Sequence, residues 1–444
     1  MKLWQKSTDS LKEVTDFTAG SDRETDLYLA RYDVLGSLAH ITMLESIGLL
    51  KKDELTALVA ELKNIYKQIE GGSFKIEEGI EDIHSQVELL LTKKLGDVGK
   101  KIHSGRSRND QVLVDIKLFL RNEIRELTDE IKNLFDLLLT LGEKHQKTLL
   151  PGYTHLQLAM PSSFGLWFGA YAEGLVDDTI TLSAAYRVVN KNPLGSGAGY
   201  GSSFPLNRKM TTVLLGFDDL NYNVVYAQMG RGKTEKIVAA ALANVASTLA
   251  RLAMDACLYL NQNFAFISFP EELTTGSSIM PHKKNPDVFE LIRAKCNALQ
   301  TLPNEIALIT TNLPSGYHRD LQVLKEKIFP AFKTLTACLR MTQLMLSNIQ
   351  VNENILKDQK YTYLFSVEEV NKLVLAGVPF RDAYKQVGES IAKGNFASTQ
   401  QVSHTHEGSI GNPGFADISR MMKDQLASFD FQKAVAAVEH LLKN

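Results

Sequence analysis

The run Gly276-Ser277-Ser278-Ile279-Met280-Pro281-His282-Lys283-Lys284-Asn285-Pro286-Asp287 gathers hydroxyls, ammonium groups, an amide and flexible backbone in one short polar segment. Val288, Leu291 and Ile292 follow at helical spacing, which predicts Asn285 as N-cap and Pro286 as the first helical residue. A helix start leaves backbone N–H groups and a positive dipole end facing such a segment, and Lys283 adds a full charge beside them. This is chemistry suited to holding a carboxylate next to a serine. On its own, the same composition also describes a solvated helix–helix connection.

Four other segments are rich in functional side chains. His103-Ser104-Gly105-Arg106-Ser107-Arg108-Asn109-Asp110-Gln111 offers arginines for planar, bidentate carboxylate or phosphate recognition, or else a basic helix start facing water. Gly152-Tyr153-Thr154-His155-Leu156-Gln157 supplies a histidine, a residue type that serves as acid or base, ahead of an apolar helix opened by Pro161. Gly316-Tyr317-His318-Arg319-Asp320-Leu321-Gln322 leads into a further helix, with Tyr317, Gln322 and Lys325 sharing one helix end. Around residues 81–88, His84 and Glu88 fall on one helical face, the spacing of an ordinary ion pair.

Other suggestive patterns fail. Gly232-Lys233-Thr234 lacks the first glycine of a phosphate loop, because Ala227 stands there. Gly195–Gly201 misses the dinucleotide spacing, and His404-Thr405-His406 has no obvious third metal ligand.

The elements that must position these groups are helices. From Gln111 to Gly142 apolar residues recur at steps of three and four without a break, which predicts a rod of roughly 45 Å that must pack in a bundle. Further rods are expected over 236–260, 286–302 and 324–351, the last with a possible kink at Pro330. Period-2 alternation is scarce, so strands should be few and short. Three regions follow: an N-terminal helical region 1–107, a central long-helix bundle 108–355 and a small helical C-terminal region 356–444.

Bulk properties exclude several classes. The chain of 444 residues is 44% hydrophobic and 23% charged, ordinary for a core-forming globular protein. A formal charge of -2 argues against broad attraction to nucleic acid or anionic membrane. No secretion signal is expected, and no uncharged apolar stretch reaches the roughly 18–20 residues needed to span a bilayer. Cys257, Cys296 and Cys338 read as buried thiols of a reducing cytoplasm. Rods this long bury more apolar surface in a multimer than alone, so a homo-oligomer is expected.

Together the loop Gly276–Pro286 and the clusters 103–111, 152–157, 193–199 and 317–325 resemble the argininosuccinate lyase and δ-crystallin family of the fumarase/aspartase superfamily. The resemblance runs from Leu3-Trp4 to Val378-Pro379-Phe380-Arg381. It implies an all-α, three-domain fold whose tetramer core holds about twenty helices, with each active site drawn from three subunits. It also implies elimination of fumarate from argininosuccinate to leave arginine, without metal or organic cofactor. By that resemblance Ser277 is the base, His155 polarised by Glu290 is the acid, and Lys283 and Asn285 clamp a substrate carboxylate. Arg106, Ser107, Arg108, Asn109, Thr154, Tyr317, Gln322, Lys325 and His84 match positions that hold or border the substrate.

Departures lie at Gln5-Lys6-Ser7-Thr8 and Met229–Thr234, and the N-terminal substrate contact falls on Ser21 or Asp22. A related lyase for another succinyl compound, and a non-catalytic scaffold like a δ-crystallin, are the competing readings.

Overall fold

The computed structural model describes residues 12–443; the Leu3-Trp4 pair and Gln5–Thr8 lie outside them. Helices dominate. In the N-terminal region α1 (Ala30–Ser46), α2 (Lys52–Glu70) and α3 (Ile83–Leu95) pack together. The long rod α4 (Arg108–Lys144) then leads into a hairpin of β1 (Leu149–Thr154) and β2 (Gln157–Ser163). Next come α5 (Phe164–Val189), α6 (Lys233–Leu260), α7 (Asp287–Leu299), α8 (Leu302–Ile309) and α9 (Leu324–Ser347).

Contacts along the rods give their directions. Gly165, at the start of α5, lies against Gly142 near the end of α4, whereas Arg121 early in α4 reaches Asn190 just past α5. α5 is therefore antiparallel to α4. Trp167 and Tyr171 both donate to Asp255, so α6 ends where α4 ends. Phe119 sits 4.3 Å from Phe329, and Arg340 pairs with Glu130, so α9 runs parallel to α4. The bundle thus has one end with the starts of α4, α6 and α9. Its other end holds the hairpin, the close of α6 and the start of α7.

Several local expectations are corrected. Pro161 opens no helix: it sits in β2, and Ser163 caps α5 by accepting from Leu166 N. α7 begins at Asp287 with Pro286 in the cap position, because Asn285 pairs with Thr275 across the loop base instead. α9 continues without a break past Pro330, which is exposed. His84 does not pair with Glu88; it turns inward to Asp33, and Glu88 lies 3.9 Å from His103 Nδ1. α6 is long and apolar enough by length and composition to cross a membrane, but 56% of its most apolar window is buried, as in a core helix.

Two helices, α10 (Ser366–Leu375) and α11 (Phe380–Ala392), pack on a small apolar cluster of their own around Val370, Ala383 and Val387. The last two, α12 (Phe415–Ala427) and α13 (Phe431–Lys443), return to the main core, where Phe415 lies on Gly142 and Gly169.

Candidate active site

At the first end of the bundle the chain closes a cavity of about 200 Å³. α4 starts there on a capping box: Ser107 Oγ accepts from Asn109 N at 3.3 Å, and Asp110 accepts from Ser107 N at 2.9 Å. Asp110 is further held by the N–H groups of Gly195 and Gly197, at 2.8 and 2.9 Å. The glycine-rich segment therefore cradles a carboxylate of its own chain, not a dinucleotide. Arg108 leaves the cap toward Asp82 and donates to Ser85 Oγ at 2.5 Å, with Asn109 beside it on the cavity wall.

His84, Tyr317, Gln322 and Lys325 line the same cavity. Gln322 Nε2 donates to the carbonyls of Thr18 and Ala19, each at 3.1 Å. Lys325 is buried between Asp22 and Asp26. Burial works against its charge, but Asp26 and Asp22 outweigh that and raise it above the usual lysine range. Asp22 is itself pushed up to about 6, chiefly by burial. Arg108 and Lys325, both expected as substrate cations, are thus each paired with a carboxylate of their own chain.

Arg106 is placed elsewhere. It is buried, donates to Ser37 Oγ at 3.0 Å and does not line the cavity. Sequence reasoning missed Arg231, which lines the cavity with its guanidinium 5.6 Å from the Tyr317 ring. Its sequence signal is an arginine inside Met229–Thr234, directly before the incomplete phosphate-loop pattern Gly232-Lys233-Thr234.

The other half of the expected set lies at the far end. Thr154 and His155 occupy the tip of the hairpin, where Thr154 pairs with Gln157 across a two-residue turn. His155 and Leu156 both adopt left-handed backbone, φ 54° and 56°, as a primed hairpin turn requires at both central positions. Neither is glycine, so the tip holds conformational strain at the residue read as the acid.

The serine loop is closed at its base by Asn285 N donating to Thr275 O at 2.8 Å. Within it Ser277 Oγ accepts from the N–H groups of Ile279 and Met280, at 3.3 and 3.1 Å. Lys283 and Asn285 line a second cavity of about 370 Å³ with Cys257 and Gln262, and Glu290 is exposed one turn into α7. No hydrogen bond or ion pair joins His155 to Glu290, Ser277 or the first cavity among the described residues.

The two halves stand at opposite ends of the bundle. α4 alone has 37 residues, about 55 Å at 1.5 Å per residue, and it starts at Arg108 and ends just before the hairpin. One end offers paired carboxylates and cations around a histidine. The other offers a serine oxygen facing backbone donors, a lysine and a second histidine.

A sequence profile of a lyase family matches residues 2–300. Proteins named argininosuccinate lyase from Parabacteroides distasonis and Bacteroides fragilis are 64% and 63% identical over 441 residues, 99% of this chain and 99% of each relative. One of the same name from Xanthomonas oryzae pv. oryzae is 37% identical over 418 residues, 93% of this chain and 95% of that protein. Among solved structures, an EDDS lyase in complex with formate has a TM-score of 0.77 at 22% identity, covering 98% of this chain and 95% of that one. A class II fumarase from Schistosoma mansoni has a TM-score of 0.71 at 15% identity, covering 93% and 95%. These two likenesses concern the fold.

Proposed function

This chain belongs to the argininosuccinate lyase family, and on that premise we propose that it splits argininosuccinate into arginine and fumarate, as a step of arginine synthesis. The observation that carries the reaction is 64% identity across 99% of the chain to a protein of that name. The roles of individual residues are our own reading.

Ser277 Oγ, as an oxyanion, takes a proton from the carbon next to a succinyl carboxylate. The electron pair moves into that carboxylate, giving an aci-carboxylate, then forms the new C=C bond as the C–N bond breaks. The bonding pair leaves on the guanidino nitrogen, which His155 protonates with Glu290 polarising the imidazole. Serine is a very weak acid, so its oxyanion needs donors in place; the N–H groups of Ile279 and Met280 already point at Oγ, and Lys283 sits on the same loop. Lys283 and Asn285 hold a substrate carboxylate. Arg108, Asn109, Tyr317, Gln322 and Lys325 bind the rest, with Ser107 fixing the start of α4, Thr154 beside the acid and Arg106 acting from inside the fold.

These roles need both ends of the bundle at one substrate, which one chain does not provide. We therefore propose a homo-oligomer, a tetramer by family resemblance, with each site shared between three subunits. Exposed Leu156, Ile279, Leu291 and Leu308, at 81%, 81%, 58% and 67%, support contact surfaces at the loop tips and along the rods. We assign the enzyme to the cytoplasm, where the buried thiols Cys296 and Cys338 suit a reducing compartment.

The test is ultraviolet absorbance of fumarate after mixing purified protein with argininosuccinate and, separately, adenylosuccinate, aspartate and malate. A rise with argininosuccinate alone is expected. A rise only with another compound overturns the substrate, and no rise from a folded oligomer overturns the activity.

A further inference from the structure

Beneath the first cavity lies a group of buried ionisable side chains that the proposed chemistry leaves without a role. Asp33 in α1 and Asp115 in α4 are both fully buried, and His84 in α3 joins them to the cavity wall. His84 Nδ1 lies 2.7 Å from Asp33 Oδ1 and 3.6 Å from Asp115 Oδ2. Gln111 Nε2 donates to Asp33 Oδ1 at 2.7 Å. Neither Asp33 Oδ2 nor either Asp115 oxygen accepts a hydrogen bond from any described donor.

Two buried carboxylates side by side cannot both ionise. His84 and Arg106 outweigh burial and hold Asp33 below the usual carboxylate range, whereas burial and the neighbouring Asp33 push Asp115 well above it. A proton on Asp115 makes it a donor to Asp33 and accounts for one of its two unpartnered oxygens. Ionised Asp33 also lies in the field of the buried Arg106 guanidinium. The Nδ1–H of His84 goes to Asp33, and Nε2 is the ring nitrogen left for the cavity. Of Asp33, Asp115, Arg106 and His84, only His84 lines that cavity.

We propose that Asp33 and Asp115 are positioning residues for His84: Asp115 donates to Asp33, Asp33 accepts from Nδ1, and Nε2 is thereby fixed facing the cavity, where it hydrogen-bonds the substrate. The inference deepens the lyase reading and rests on it for its kinetics.

The deciding experiment is a double-mutant cycle with kcat/KM for argininosuccinate as readout. Asp33→Asn and His84→Asn should each lower kcat/KM by about 100-fold, the scale of a misplaced substrate contact. Combined, they should lose no more than about threefold beyond the worse single variant, since Asp33 acts through His84. Equal penalties for Asp33→Asn in both backgrounds would overturn the proposal. Asp115→Asn should recover most of the loss seen in Asp115→Leu, because the amide supplies the same donor; an amide as damaging as leucine is the opposing result.

A readout without turnover separates this inference from the activity itself. The deuterium exchange rate at the His84 C2 proton, followed by mass spectrometry, should rise at least about threefold in Asp33→Asn while exposed His282 stays unchanged, as loss of a buried anchor frees the ring. An unchanged rate at His84 refutes the positioning role even if wild-type protein makes no fumarate.

Discussion

At the scale of single residues, the serine loop carries the strongest claim. Ser277 Oγ already sits under two backbone donors, and His155 is held at a strained hairpin tip. Ser277→Ala and His155→Asn are each expected to reduce kcat by at least ~100-fold, the scale of a lost acid–base group, with the oligomer intact by light scattering. Near-normal turnover in either variant removes that residue from its assigned role. The polar crowding around Ser277, His155, Lys283 and Lys325 was legible in the sequence, but each cluster alone also has a bland reading, so the assigned roles rest on the family resemblance. The placement of Arg106 was not legible. An arginine two positions from Arg108 reads as a second substrate cation, and only the fold reveals that it turns in toward Ser37.

At the scale of elements, close packing and buried charge set the terms. An added Cβ on Gly165 would come within 2.6 Å of Gln146 Cα and 2.9 Å of Gly142 O, both backbone. Gly165→Ala should therefore push α5 off the end of α4, costing about 1–3 kcal/mol and lowering Tm. Calorimetry that finds an unchanged Tm would show that the junction has slack.

Lys117 in α4 is a second case. Its Nζ donates to Lys191 O at 2.9 Å and Asn221 Oδ1 at 2.8 Å, yet burial brings it from 10.5 down to about 7. Below pH 7 both folded and unfolded chains carry this proton, and the fold bears the full cost of burying the charge. Between about 7 and 10.5 the unfolded chain binds more protons, so this lysine's penalty fades as pH rises. Wild-type Tm minus Lys117→Met Tm should accordingly become more positive from pH 6.5 to pH 9. A gap independent of pH would show that Lys117 keeps its proton throughout.

At the scale of the whole molecule, the two half-sites stand apart within one chain. Lys325→Met removes one first-end cation, and Ser277→Ala removes the proposed far-end base. Each homo-oligomer should be inactive. Denatured together and reassembled, the two should recover up to about a quarter of wild-type activity, since random mixing of subunits restores that share of intact composite sites. No recovery from properly assembled mixtures would mean that each chain completes its own site.

The sequence by itself determined the helical class, the long rods and the chemical identity of the clusters. Helical period, capping residues and polar crowding are local properties, readable over ten to twenty positions. It did not determine which clusters meet. Residues 84, 108 and 325 converge because α3, α4 and α9 begin at one end of the bundle; 155 and 277 lie at the other because α4 and α6 carry the chain there. Nor did it show the hairpin, whose Pro161 mimics a helix start, or the inward turn of His84 to a buried aspartate 51 residues away. Those outcomes depend on rod direction and on which charges burial forces together. Both are properties of packing between distant segments, so only the tertiary structure decides them.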